Sequence, residues 1–96
     1  MPGIIRIGDM SSSDPCGAPP HPPVAGSSNV FVNGIPAVRV GDPYDSHSCP
    51  ASPPHSSAAA SGSATVFVNG IPVHRIGDSI SCGSTASNGS ADVSAG

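Results

Sequence analysis

The same short pattern of apolar residues, interrupted by an Asn-Gly pair, occurs twice in the chain. Residues 29–36 read Asn-Val-Phe-Val-Asn-Gly-Ile-Pro, and residues 65–72 read Thr-Val-Phe-Val-Asn-Gly-Ile-Pro. β-Branched and aromatic residues directly before Asn-Gly predict a β-hairpin, because both turn residues tolerate a positive φ angle. The apolar residues after each turn predict the return strand, with its Pro near the start, where no ladder N–H is needed.

Each pattern continues into an Arg-x-Gly-Asp end, and a third such end occurs near the N-terminus. The chain closes with a copy of the pattern's opening letters, Gly-Ser-x-x-Val. We therefore predict one domain, 1–96, of three repeats: two are complete, at 26–42 and 62–78, and the third is split between 1–9 and 89–96. Three repeats predict a small all-β fold of three hairpins packed as a cone or prism about a pseudo-threefold axis. No helix is expected, apart from a possible turn at residues 58–60.

The Arg-x-Gly-Asp ends allow two interpretations. Integrin-like recognition needs the uninterrupted tripeptide Arg-Gly-Asp, which is absent because a Val or Ile follows each Arg. The structural interpretation is that Arg and Asp pair around the Gly and close each hairpin. Such pairs near a surface contribute about 1 kcal/mol or less. They are therefore expected to specify geometry more than stability.

Composition predicts a thin core. The chain holds two Phe, one Tyr and no Trp, but twelve Gly and twelve Pro. Ordering a chain costs about 1.5 kcal/mol per residue in a crude account, so burial of such small side chains calls for a further stabilising element. The three Arg residues occupy the same repeat position and Lys is absent, so the chain cannot neutralise a run of phosphates. Nucleic-acid binding is therefore not expected.

The cellular compartment determines whether the three cysteines are expected to be reduced thiols or to form disulfides. The N-terminus lacks a signal peptide, and no segment approaches the roughly 20 apolar residues that span a bilayer. The chain is therefore expected to be made and kept in a cytoplasm. An odd number of reduced thiols there favours metal ligation or simple burial over a disulfide framework.

The predicted loops at residues 10–25, 43–61 and 79–88 carry all the cysteines and three of the four histidines. If the hairpins are related by the pseudo-axis, these loops converge at one end of the molecule. Four such ligands at about 2.0–2.3 Å suit Zn²⁺ best. The alternative is that they are scattered surface residues, with the cysteines acting as small hydrophobes. The candidate ligands are Cys16, His21, His47, Cys49, His55 and Cys82. His74 lies in a predicted strand and is expected to be structural.

The Pro-Ala-Val-Arg and Pro-Val-His-Arg segments, residues 36–39 and 72–75, stand between Val-Phe-Val-Asn-Gly and Gly-Asp. Together with Pro-Pro-His at 53–55 and Ser-Cys-Gly at 81–83, they resemble the proline-alanine-alanine-arginine repeats of the PAAR family over essentially the whole chain. The resemblance implies a small conical β protein stapled near its tip by one Zn²⁺, rather than iron, held by His and Cys.

Carried over by position, His47, His55 and Cys82 match metal ligands of the family. The first loop departs from the pattern, because Cys16 stands where relatives commonly have a His. Cys16 is the predicted fourth ligand, and His21 is the alternative. Cys49 lies between two better-placed histidines and is not expected to bind.

The resemblance also implies a function. One chain would cap the trimeric β-helical spike of a contractile injection machine, either a type VI secretion system with its valine-glycine repeat protein or a phage tail. The protein would be made in the bacterial cytoplasm, held at the distal tip and driven mechanically into a target cell envelope. The alternative is an adaptor that loads a non-covalent effector on the spike; because the chain ends at Gly96 inside the repeat pattern, a fused effector is not expected.

No enzymatic activity is expected. A zinc hydrolase would need an open coordination position and a general base, but the chain has no Glu and four ligands would close the site. A Cys nucleophile paired with His47 or His55 would lack an evident orienting group.

Overall fold

The computed structural model describes residues 2–12, 20–47, 55–81 and 83–96. The strands form three separate two-stranded antiparallel sheets. In chain order they are β1 (Phe31–Val32), β2 (Ile35–Pro36), β3 (Pro43–His47), β4 (His55–Ala58), β5 (Phe67–Val68) and β6 (Ile71–Pro72). The described residues contain no helix, and hence none that could cross a membrane.

The two Asn-Gly pairs form the turns of the β1–β2 and β5–β6 hairpins. Asn33 and Asn69 have φ angles of 55° and 57°, and the Gly after each has a φ close to 80°. Two successive positive φ angles are what a two-residue turn between twisted strands requires. The structure therefore confirms both hairpins predicted from the apolar pattern.

The β3–β4 ribbon corrects a prediction. Residues 43–61 were expected to form a loop with a possible turn at 58–60, but this segment pairs Tyr44 with Ser57 and His47 with His55. Ala58 ends β4, and Ala59 forms a bridge to Ile80. These strands are largely polar, so their residues lack the apolar period of two that reveals a half-buried strand.

Three backbone hydrogen bonds close a ring among the segments that carry the Arg-x-Gly-Asp ends. Ile5 N–H donates to the His74 carbonyl (3.0 Å), His74 N–H to the Val38 carbonyl (2.9 Å), and Val38 N–H to the Ile5 carbonyl (2.9 Å). All three residues are fully buried. Each donates to one neighbour and accepts from the other, so the early, middle and late parts of the chain hold one another in place.

The two ends of the described chain pair with each other through the backbone. Gly3 forms an antiparallel bridge with Ser94, and Ala95 N–H donates to the Pro2 carbonyl at 3.0 Å. The two terminal segments, predicted to share one repeat, are therefore in contact at these residues, and the shared repeat stays a prediction.

Each Arg-x-Gly-Asp end is closed by its own ion pair, as the structural interpretation predicted. In all three, the Arg Nε lies 2.9 Å from the Asp Oδ2. The same oxygen accepts the Arg backbone N–H, as in the 2.8 Å bond from Arg39 to Asp42. Hydrogen bonding to the Asp raises the pKa of each Arg above its ordinary value, although partial burial opposes the shift.

The core consists of two small clusters of mostly aliphatic residues. One contains Ile4, Val32, Ala37, Val68, Val73 and Ala95. The other contains Ile5, Val38, Tyr44, Ala59, Ile80 and Ala86. Tyr44 is their only aromatic member, in keeping with the thin core that composition predicted.

Gly62 provides a test of how closely the backbone segments approach. A Cβ at this position would lie 2.5 Å from the Val73 carbonyl oxygen, which accepts the Ser63 N–H. We expect Gly62→Ala to lower the free energy of unfolding by about 2–3 kcal/mol, because a backbone atom cannot move aside as a side chain can. Urea denaturation of the purified variant measures this loss.

The exposed neighbour Ala64 supplies the control, since Ala64→Ser should change the free energy of unfolding by no more than about 0.5 kcal/mol. Equal unfolding midpoints for Gly62→Ala and the control would contradict the close approach.

Candidate metal centre

The structure describes the predicted ligands to different extents. Cys16 and Cys82, like the doubted Cys49, lie outside the described residues. His47 and His55 are described through their place in the strands, and His21 is described in full. No three His, Cys, Asp or Glu residues within the described ranges are close enough together to hold a metal ion, so ligation stays a prediction.

His47 and His55 stand opposite each other in the β3–β4 ribbon. A bulge produces this register: two residues separate Tyr44 from His47 on β3, but only one separates Ser57 from His55 on β4. Without the extra β3 residue, Ser46 would stand opposite His55, so the bulge is what pairs the two histidines.

The first loop runs antiparallel alongside β3. Asp45 N–H donates to the Pro22 carbonyl (2.8 Å), Val24 N–H donates to the Pro43 carbonyl (3.0 Å), and Pro23 forms a bridge with Tyr44. The His21 ring consequently meets the Tyr44 ring edge to face, with centroids 5.6 Å apart. The loop that contains His21 therefore reaches the strand that contains His47.

The third loop lies against β4 through Ser81, the residue before Cys82. Ser81 N–H donates to the Ala58 carbonyl, and Ala58 N–H donates to the Ser81 hydroxyl, both at 2.9 Å. The same loop meets the first one, because Ser12 N–H donates to the Thr85 carbonyl at 2.8 Å. The described parts of the three segments predicted as loops thus lie against one another, although their convergence as a ligand cluster stays a prediction.

Ser11 fixes the orientation of His21, which is only 5 % exposed. The Ser11 Oγ accepts the His21 backbone N–H (3.1 Å), donates to the Ser12 carbonyl (2.9 Å) and lies 3.2 Å from His21 Nδ1. A hydroxyl has a single proton, so all three contacts are satisfied together only when Nδ1–H is the donor. This tautomer leaves the lone pair of a neutral His21 on Nε2.

His74 behaves as expected for a structural histidine. It is fully buried, its Nδ1 lies 2.8 Å from the Ser61 carbonyl, and its Nε2 lies 3.0 Å from the Tyr44 hydroxyl. Burial lowers the pKa of His74 below its ordinary value, although the hydrogen bond to Ser61 opposes the shift. Sequence reasoning missed its partner Tyr44, for which the only signal was that it is the single Tyr of the chain.

Comparison with known proteins gives one family match. The family model described as PAAR motif matches residues 24–87, about two-thirds of the chain, including both complete repeats. A search of curated proteins finds no match.

Ser11→Ala tests the support of His21. The substitution removes the acceptor of two N–H groups on a buried residue, so we expect the free energy of unfolding to fall by about 1–3 kcal/mol. Ser28→Ala changes an exposed serine and should have an effect within about 0.5 kcal/mol. Thermal unfolding of both variants compares them, and an unaltered midpoint for Ser11→Ala would show that the contact contributes nothing.

Proposed function

Because this chain belongs to the PAAR-motif family, we propose that it is the tip of a contractile injection machine, where it caps the trimeric central spike. The machine is a type VI secretion system or a phage tail. The role is mechanical: the tip sharpens the spike that is driven through a target envelope, and no reaction is catalysed. A tip of this kind must be narrow and rigid, and it must fit a threefold partner with one chain.

The closed ring of backbone hydrogen bonds is the observation that carries the proposal. Ile5, Val38 and His74 make the same contact with one another in cyclic order. Such an arrangement supports a pseudo-threefold axis through the ring, with the β1–β2 hairpin, the β5–β6 hairpin and the paired chain ends around it. One chain built this way can present three similar edges to three identical spike subunits, which a single unrepeated domain cannot do.

One structural Zn²⁺ is proposed to staple the three loops near the narrow end of a conical molecule. Its ligands are His47, His55, Cys82 and one residue of the first loop, Cys16 or His21. The opposed register of His47 and His55 supports the pair from the second loop. The Nδ1–H tautomer supports His21, because metal-binding histidines usually give their second ring N–H to an oxygen partner such as Ser11.

Bound zinc would supply the stabilising element that the thin core lacks. Structural zinc contributes an apparent 10–16 kcal/mol, roughly, to the folding of small peptide domains. Here it would connect loops that otherwise meet through a small number of backbone hydrogen bonds, such as those of Asp45 and Ser81. Rigidity would then come from coordination instead of from a larger core.

Metal analysis tests the ligand set. We expect about one zinc per chain in the wild type, because four ligands close a single tetrahedral site. Zinc should be lost in Cys82→Ser and in whichever of Cys16→Ser and His21→Ala removes the fourth ligand, and elemental mass spectrometry on the purified proteins measures it. His74→Val is the matched control and should keep its zinc.

Folded wild-type protein without metal would overturn the zinc staple. It would leave the capping role intact, because the ring does not depend on the proposed ligands. Retention of zinc in both first-loop variants would show that the fourth ligand lies elsewhere.

Stoichiometry tests the capping role. Native mass spectrometry of the chain mixed with the trimeric spike protein of its own machine should find one chain per trimer, because three similar edges of one chain engage three subunits. A spike lacking its terminal β-helical turns is the control and should bind none. Three chains per trimer, or no complex with the intact spike, would contradict the proposal.

A further inference from the structure

His74 occupies a place in the ring where the other two positions are aliphatic. Ile5 and Val38 bury hydrocarbon side chains there, and His74 is just as fully enclosed. A polar ring is buried at such a position only when its nitrogen atoms have hydrogen-bond partners, since an unsatisfied buried polar group destabilises the fold. Those partners, together with the burial of the ring, determine which charge state of His74 the site favours.

Both ring nitrogens of neutral His74 are hydrogen-bonded. The Ser61 carbonyl can only accept, so Nδ1 carries the proton and donates at 2.8 Å. Nε2 then carries the lone pair and accepts the Tyr44 hydroxyl at 3.0 Å. The two aromatic rings also meet edge to face, with centroids 5.9 Å apart and planes at 80°. Tyr44 lies in β3, so this contact joins the β3–β4 ribbon to the ring.

The charged groups near His74 are already committed to other partners. Asp78 and Asp42 favour a proton on His74, while Arg75 opposes it. Asp78 is paired with Arg75 and Asp42 with Arg39, each at 2.9 Å.

His21 also contacts the Tyr44 ring, with ring centroids 5.6 Å apart. Burial is the largest influence on His74 and lowers its pKa. Among the residues that the structure describes around His74, each carboxylate that could stabilise the imidazolium form is already in an ion pair.

We propose that the Tyr44–His74 contact is an acid-sensitive latch, which holds the β3–β4 ribbon on the ring at neutral pH and loosens when His74 gains a proton. Protonation converts Nε2 from an acceptor into a donor, so the Tyr44 hydroxyl that donates to it must turn its own proton away before its oxygen can accept from Nε2. It also places a positive charge among the aliphatic residues of the core. Both effects disfavour the arrangement in which the β3–β4 ribbon is held on the ring. Neither effect involves the proposed zinc ligands, so the latch goes beyond the capping role.

The direction of the pH effect follows from the lowered pKa of His74. The unfolded chain takes up a proton at His74 as the pH falls through about 6.5, while the folded chain does not. The stability associated with neutral His74 is therefore complete above pH 6.5 and is lost as the pH falls from there to the lower pKa of the folded protein. Over that window, the unfolding equilibrium constant should rise up to about tenfold per pH unit.

The first experiment compares the wild type with His74→Val, which gives the ring the residue found at Val38. Urea unfolding from pH 8 to pH 4.5, in the presence of zinc and again with a chelator, gives both free energies of unfolding. The quantity compared is the difference between the two free energies of unfolding, wild type minus variant. We expect this difference to be constant above pH 7 and to decrease below pH 6.5, under both metal conditions. Groups that the two proteins share contribute to both free energies and cancel in this difference.

A difference that stays constant across the whole range would overturn the latch and reduce His74 to a structural residue. A decrease that appears only with zinc would also overturn it, because the effect would then belong to the metal site.

The second experiment needs only folded protein and so does not depend on the His74→Val variant being stable. Nitrogen-15 NMR of the His74 ring should show a protonated Nδ1 and an unprotonated Nε2 at pH 7, persisting below pH 6.5. Tyr44→Phe removes the hydroxyl but keeps the ring, and it should raise the pH at which His74 titrates. A wild-type His74 that becomes charged at pH 6.5 or above would refute the proposal.

Discussion

Three buried hydrogen bonds, from Ile5 to His74, from His74 to Val38 and from Val38 to Ile5, join the beginning, the middle and the last third of the chain. Strands of only two residues give little stability by themselves, and a lone hairpin is marginal in water. The ring makes each hairpin depend on the other segments, so the small sheets become parts of one structure. The close approach at Gly62 and the ion pairs at the Arg-x-Gly-Asp ends hold the same segments at the geometry that the ring requires.

Buried serine side chains stabilise the interior of this domain, which has few large apolar side chains, by accepting hydrogen bonds from the backbone. Ser27, Ser63 and Ser90 are at most 4 % exposed, and the hydroxyl of each accepts the backbone N–H three residues later at 2.9 Å. Each serine thereby satisfies a donor at the start of a hairpin segment. Such hydrogen bonds are worth about 1 kcal/mol each, but leaving the same donors buried and unpaired would cost more. The abundance of serine in this chain is thus partly a structural requirement.

The β3–β4 ribbon is held differently, through its neighbours on several sides. The first loop pairs with β3 through Asp45, and the third loop pairs with β4 through Ser81. Tyr44 links the ribbon to the ring through His74. The ribbon that carries His47 and His55 is therefore held by the first loop, by the third loop and by the ring. The proposed zinc site and the proposed latch would involve these same parts of the molecule.

The sequence by itself determined the two Asn-Gly hairpins, the ion pairs at the Arg-x-Gly-Asp ends, the family and the thin core. These features were predictable because each rests on residues close together in the chain, where a positive φ angle or a spacing of three leaves few alternatives. Only the tertiary structure decided that the polar segments Pro43–His47 and His55–Ala58 form a bulged ribbon, that Ser11 sets the tautomer of His21, and that His74 contacts Tyr44. These contacts join residues 10 to 30 positions apart or depend on a one-residue bulge, and they involve side chains with no apolar period. Local sequence carries no signal for them, because their energy appears only once the ring has brought the distant segments together.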